Sequence, residues 1–260
     1  MEKVMLLPDY QIIVEYRAGN SCQNLAQRYG CTAMSIHKLL VKHNEPRRKK
    51  WDHKTLNVPT TELNSYQEQV IEGGLLGDGS VFRNVISSHC SFTTTHQEFA
   101  NHLISVLPFS FRTDTREECT RVIKGREYHC KKSFEIISKC DKSLNCFRDK
   151  WYKAEIKILP KDLILTPISV KYWFYGDGST SFMKNAPNNI QLSFSTHNFT
   201  KDECNLLANK LYDACGATLG VYNSRGKPIL KTTKKESVRC LFNYMKQCDL
   251  ACFRYKWKLD

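Results

Sequence analysis

Two stretches decide the fold: Ile71-Glu-Gly-Gly-Leu-Leu-Gly-Asp-Gly79 and Val170-Lys-Tyr-Trp-Phe-Tyr-Gly-Asp-Gly178. Each is an apolar run at helical spacing that breaks off at Gly-Asp-Gly-Ser, and Asp177 follows Asp78 by 99 residues (177 − 78). Working outward, the first run extends back to Ser65, and the second is preceded by Leu165-Thr-Pro, a helix start. A strand-like segment follows each, then the phrases Phe92-Thr-Thr-Thr-His96 and Phe194-Ser-Thr-His197. Helices are predicted over Glu98 to Leu107 and Lys201 to Cys215. Lys157 lies 79 residues after Asp78, and Lys256 lies 79 after Asp177. A body built from two copies of one unit accounts for all of these coincidences.

A single Gly-Asp-Gly-Ser is ordinarily a helix exit and a turn. Two copies in matched apolar contexts point to more. If the helices pair about a pseudo-two-fold axis, the faces around Ile71, Leu75, Val170 and Phe174 meet. The small Gly73, Gly74, Gly77 and Gly176 let the backbones approach. Asp78 and Asp177 then emerge side by side, where two carboxylates repel unless a cation lies between them. Oxygen ligands of this kind suit a hard divalent ion such as magnesium. The repeated lysines bring positive charge to the same place. His96 and His197 recur at matching positions but read as capping or structural residues rather than catalytic ones.

At these residues the chain resembles the single-chain, double-motif LAGLIDADG homing endonucleases. The Lys157-Ile-Leu-Pro160 and Tyr255-Lys256 phrases resemble the same family, and the likeness covers roughly residues 60–260. It implies an α/β (α+β) fold of two pseudo-symmetric αββαββα halves, 62–160 and 161–260, forming a DNA-binding saddle. It implies Asp78 and Asp177 as catalytic metal ligands, with Gly77 and Gly176 in the metal site and Lys157 and Lys256 lining it. Mg2+ is the expected cofactor, with Mn2+ as a substitute, and the expected reaction is a double-strand break in a long asymmetric DNA target by a monomer. The sequence departs from the family pattern at Gly74, at Lys171, Tyr172 and Trp173, and at Trp257. Lys150 competes with Lys157, because Cys146-Phe-Arg-Asp-Lys-Trp151 echoes Cys252-Phe-Arg-Tyr-Lys-Trp257; equal spacing from the aspartates favours Lys157.

DNA reading is assigned to the strands of each half, since an antiparallel ribbon fits the major groove. The first half offers Arg83, Asn84, Arg112 and Arg116, then Lys124, Arg126 and Lys132. The second offers Lys184 and Asn185, then Arg225, Lys227 and Lys231. Some of these serve only phosphate.

Composition supports a polyanionic partner: 39 Lys and Arg against 26 Asp and Glu leave a net charge of +13. No apolar run nears the length of a membrane span. Met1 to Tyr10 is too short and too mixed for an apolar targeting region. The 12 cysteines contain no Cys-x-x-Cys pair and read as buried, reduced thiols of an intracellular protein, in the cytoplasm or an organelle and not secreted.

Ahead of the repeat, residues 9–17, a helix capped by Ser21 and running through Tyr29, and a third capped by Thr32 give a helix-turn-helix pattern. Residues 1–50 are therefore read as a small DNA-binding head and basic linker. Ser35, His37 and Lys38 are its candidate contacts, followed by Arg47 and Arg48. Two alternatives stand beside the endonuclease: an intron maturase acting on RNA, and a non-cleaving DNA-binding regulator.

Overall fold

The computed structural model describes residues 7–46, 58–123, 125–183 and 186–258. They form two compact units, 1–59 and 60–260.

The first unit holds three helices, α1 (Leu7–Arg17), α2 (Cys22–Arg28) and α3 (Ala33–Lys42). Ser21 accepts from the Asn24 amide and Thr32 from the Ser35 amide, so both caps expected of the sequence satisfy otherwise orphaned donors. Gly30, at φ +62°, turns the chain between α2 and α3 in the left-handed region that a side chain would resist. Ile12, Ile13 and Tyr16 of α1 bury against Leu25, Ala26, Ile36 and Leu40. Around this small core Glu15 accepts from Arg28 at 2.6 Å and from the Tyr29 hydroxyl at 2.9 Å, tying α1 to α2. Met34 of α3 is exposed.

The second unit repeats one topology. Helix α4 (Ser65–Leu76) leads into β1 (Ser80–Arg83), β2 (Ser88–Thr94), α5 (Gln97–Val106), β3 (Phe111–Arg116), the outlying pair β4 (Cys119–Ile123) and β5 (Arg126–Cys130), and β6 (Ser133–Ser138). Helix α6 (Asn145–Trp151) and the short strands β7 (Tyr152–Lys153) and β8 (Ile156–Lys157) close the first half. The second half runs through α7 (Pro167–Asp177), β9 (Gly178–Met183), β10 (Ala186–Ser195), α8 (Lys201–Cys215), β11 (Gly220–Ser224), β12 (Lys227–Thr232) and α9 (Lys235–Met245), and ends in a 3-10 turn, Ala251–Lys256. The sheets are ordered β1-β2-β6-β3 and β9-β10-β12-β11, which is the same order twice. Registers match as well: Phe92 faces Ile136 across β2 and β6, and Phe194 faces Leu230 across β10 and β12. All four side chains are buried. This is the doubled α+β architecture that the repeat implies.

Helices α4 and α7 pack together at the centre. Both begin with reciprocal capping boxes, Asn64 with Gln67 and Thr166 with Ser169. A Cβ on Gly73 would stand 2.5 Å from the Ser169 carbonyl oxygen and 2.8 Å from Tyr172 Cβ, so glycine sets how closely the two helices approach. Gly77 plays the same part beside Asp177, whose Oδ2 would lie 3.2 Å from an added Cβ. The other two glycines differ from expectation. Gly74 faces Phe92 of its own half's sheet, and Gly176 has nothing within 4 Å. A single hydrophobic core, with Trp151, Trp173, Phe174 and Phe194 fully buried, runs through both halves.

The cysteines correct the expectation of burial: only Cys90 and Cys204 are buried, eight are half-buried, and Cys31 and Cys146 are exposed, all as free thiols. Of the half-buried ones, Cys22, Cys215, Cys240, Cys248 and Cys252 pack against the two cores from their edges. No helix among the described residues is long and apolar enough to cross a membrane.

Candidate functional site

The site grows from the ends of α4 and α7. Helix α4 stops at Leu76, and the amides of Gly77 and Gly79 both turn back to the Gly74 carbonyl, at 3.0 and 2.8 Å. That tight exit leaves Asp78 exposed at the helix mouth. Helix α7 continues two residues further, so that Asp177 is itself its last residue and is half-buried. The two aspartates are equivalent in sequence but not in environment.

Electrostatics follow from that difference. Burial, and then the charge of Asp78, push the Asp177 carboxyl up to about 7, against the pull of Lys157 and Lys256. Burial draws the Lys157 ammonium down to about 8, with Asp177 and Asp78 opposing the shift. Lys256 is likewise lowered to about 8 by burial, opposed first by Asp177. Buried Lys256 and half-buried Lys157 thus stand by half-buried Asp177, and their charges oppose the rise that burial and Asp78 impose on its carboxyl.

Main-chain carbonyls hold the lysines in place. Lys157 Nζ donates to the carbonyls of Gly77 at 2.9 Å and Gly79 at 2.7 Å, on either side of Asp78. Lys256 Nζ donates to Tyr175 at 2.6 Å, Phe174 at 3.1 Å and, more weakly, Gly176 at 3.4 Å, just before Asp177. The carbonyls of Gly77 and Gly176, named as metal-site residues from the sequence, therefore already accept from lysine. Lys150 lies elsewhere, donating to Glu72 at 2.8 Å.

Among the described residues no three His, Cys, Asp or Glu side chains converge as a metal cage. The donor set is two carboxylates beside open cleft, which fits a hard cation that completes its shell with water and phosphate oxygens, as Mg2+ does, and does not fit zinc.

The cleft beside Asp78 and Lys256 also contains Thr94, Thr95, His96 and Ser133. His96 stands at the N-terminus of α5 yet makes no capping hydrogen bond. Its ring instead meets the edge of Phe253 at 4.8 Å, and burial followed by the Lys256 charge lowers its pKa. His197 is exposed, so the two histidines are not equivalent. A Thr-rich run ahead of a histidine was the only signal in the sequence, and it did not separate them.

The candidate DNA contacts are mostly on the surface. Arg112 pairs with Asp114 at 3.0 Å, Arg116 with Glu135 at 2.5 Å and Lys132 with Glu117 at 3.0 Å. Arg83 pairs with Asp149, and the Asn84 amide donates to Cys140 Sγ at 3.4 Å. Arg225, at φ 54°, and Lys227 are exposed at the β11–β12 turn, while Lys231 lies 5.5 Å from the Tyr222 ring. In the first unit Ser35 and Lys38 are exposed and His37 is half-buried. Arg47, Arg48, Lys124, Lys184, Asn185 and the Arg126 side chain lie outside the described residues.

Comparison with known proteins places this geometry in context. Residues 68–240 match the sequence profile of the LAGLIDADG DNA endonuclease family. The chain is 25% identical over 251 residues to the uncharacterized protein MJ1098 of Methanocaldococcus jannaschii, covering 87% of this chain and 93% of that one. Among solved structures, the homing endonuclease I-WcaI bound to its DNA recognition sequence shares the fold, with a TM-score of 0.64 at 20% identity, over 77% of this chain and 89% of that one.

Proposed function

Because the chain belongs to the LAGLIDADG DNA endonuclease family, we propose that it is a monomeric, site-specific homing endonuclease making a Mg2+-dependent double-strand break in a long asymmetric DNA target. The observation that carries this reading is the paired helix ends, where Asp78 and Asp177 emerge beside the half-buried Lys157 and the buried Lys256. A catalytically silent DNA-binding protein has no use for that arrangement, because desolvating Asp177 with Lys157 and Lys256 costs solvation free energy that recognition alone does not require.

Asp78 and Asp177 are the side chains that would hold the metal. When bound, Mg2+, or Mn2+ in its place, supplies positive charge against the negative charge that develops at a scissile phosphate. Lys157 and Lys256 remain mostly protonated at pH 7, their backbone anchors hold both ammonium groups at the helix ends, and both act first on Asp177. Asp177, pushed up to about 7, is partly protonated near neutrality and would give up that proton to hold a cation. The two basic sheets hold the duplex. The halves differ in sequence and in the connection between their last two sheet strands, so the target is not a palindrome.

The head, 1–50, adds a second DNA contact through α3, with Ser35 and Lys38 exposed toward a partner. Free thiols throughout suit a reducing intracellular compartment. Cleavage at one site would promote mobility of the element that encodes the chain.

The test is cleavage of a plasmid library carrying randomised inserts, with Mg2+ or EDTA, by the wild type, Asp78→Asn and Asp177→Asn. A Mg2+-dependent double-strand cut, lost in both variants, is the expected result. Salt-sensitive binding with no cut would overturn it, and binding to RNA in its place would move the assignment to a maturase.

A further inference from the structure

The two halves differ most between paired strands β3 and β6. In the second half the corresponding strands, β11 and β12, are joined by Arg225-Gly226 alone, both at positive φ, a two-residue hairpin turn. In the first half the connection is Glu117–Lys132, and it folds as a second antiparallel ribbon, β4 with β5, in register from Cys119 opposite Cys130 to Ile123 opposite Arg126. This ribbon pairs with no other strand. None of its described side chains belongs to the hydrophobic core. Val122 and Tyr128 are 68% and 47% exposed, and strand alternation places them on opposite faces. A lone two-stranded ribbon with apolar side chains open on both faces is only marginally stable in water.

Resting on the endonuclease reading above, we propose that the β4–β5 ribbon reads one arm of the target, so that the DNA site extends further from the cut on the side of the first half than on the other. The ribbon prolongs the β3–β6 pair that this reading lays on DNA. Residues 117–132 carry five Lys and Arg against three Glu, two of which are paired within the segment, Glu117 with Lys132 and Glu118 with His129. A two-stranded ribbon is of a size to enter the major groove, where apolar side chains meet thymine methyls. At about 3.4 Å per strand residue, a five-residue strand spans about 17 Å. That is about five base pairs at about 3.4 Å each. The β11–β12 connection of the second half, only two residues long, carries no such extension.

The experiment compares cut sites from the randomised plasmid library for three full-length proteins: the wild type, a variant with 117–132 replaced by Asn-Gly, and the point variant Val122→Ser with Tyr128→Ala. The last changes only exposed side chains and so keeps the fold. The wild type should specify about five more positions on one arm than on the other. The shortened protein should still cut but lose those outer positions, and the point variant should lose at least about 5-fold discrimination at one or more of them. Equal arms for the wild type, or unchanged outer positions in the point variant, would overturn the ribbon's role while leaving the nuclease intact. No cutting by the wild type would sink the endonuclease reading, and this inference with it.

Discussion

Gly73→Ala isolates the contact on which the whole site depends. The added Cβ would sit 2.5 Å from the Ser169 carbonyl oxygen, about 1 Å inside an ordinary contact of about 3.5 Å, and 2.8 Å from Tyr172 Cβ. Neither neighbour can swing aside: one is backbone and the other is a branch point of the partner helix. The helices must therefore separate. Such overpacking costs about 1–3 kcal/mol, while alanine in a helix interior returns about 1 kcal/mol relative to glycine. A net loss of up to about 2 kcal/mol is expected, which for a unit of this size lowers Tm by up to about 8 °C at about 2–4 °C per kcal/mol. Activity should fall further than stability, because Asp78 and Asp177 leave the same helix pair and a shift of about 1 Å at reacting groups can cost about 100-fold in rate. Gly176→Ala, with nothing within 4 Å, is the control and should melt no lower than wild type. Thermal melts and cleavage of the selected site report both quantities. If Gly73→Ala melts at or above wild type and cuts at full rate, helix approach does not position the carboxylates.

Other expectations follow from the same geometry. Asp177, raised to about 7 in the folded state against 3.8 for a free carboxyl, makes the metal-free protein lose stability as pH climbs between those values. Lys157 and Lys256, lowered to about 8, restore stability as pH climbs from there towards 10.5. Denaturation in EDTA across this range should show a minimum between the two limbs, and Asp177→Asn should flatten the acid limb and raise Tm at pH 8 while abolishing cleavage; an unchanged acid limb would contradict the burial of that carboxyl. Lys157→Met should remove cleavage without loss of stability, whereas Lys150→Met should keep cleavage and cost no more than about 1 kcal/mol, because its ion pair with Glu72 is partly exposed. Reversed behaviour would exchange their roles. Residues 60–260 expressed alone should melt cooperatively, since their core includes no residue of the head. They should bind the target more weakly and with a shallower salt dependence than the full chain; equal affinity would remove the head from DNA contact.

Most of the second unit was legible because the chain repeats itself. The doubled Gly-Asp-Gly and the equal spacing to Lys157 and Lys256 lead to two sheets of one topology. The helical limits of the head follow from Ser21 and Thr32, where short polar side chains cap the backbone. What sequence could not resolve is where a repeated phrase points. Cys-Phe-Arg-x-Lys-Trp occurs twice, yet Arg148 is buried, donating to the Val81 carbonyl at 2.9 Å, while Arg254 is exposed. Lys150 goes to Glu72, and the first half delivers Lys157 only after a turn at Ala154 and Glu155, both at positive φ. The second half presents Lys256 directly from its 3-10 turn. Likewise His96 and His197 share a phrase but not a site, because only His96 has Phe253 against its ring. Partner identity in such cases comes from tertiary packing, which a pattern along one chain does not encode.

Because both lysine ammonium groups rest on main-chain oxygens rather than on side chains, their anchorage does not depend on which residues occupy the last turns of α4 and α7. Side chains there are free to diverge under selection for packing alone. A duplicated gene segment could drift until one helix end read Gly-Gly-Leu-Leu and the other Tyr-Trp-Phe-Tyr without either copy losing hold of its cation. The backbone keeps the inheritance common to the two halves, and the sequence records how long ago they parted.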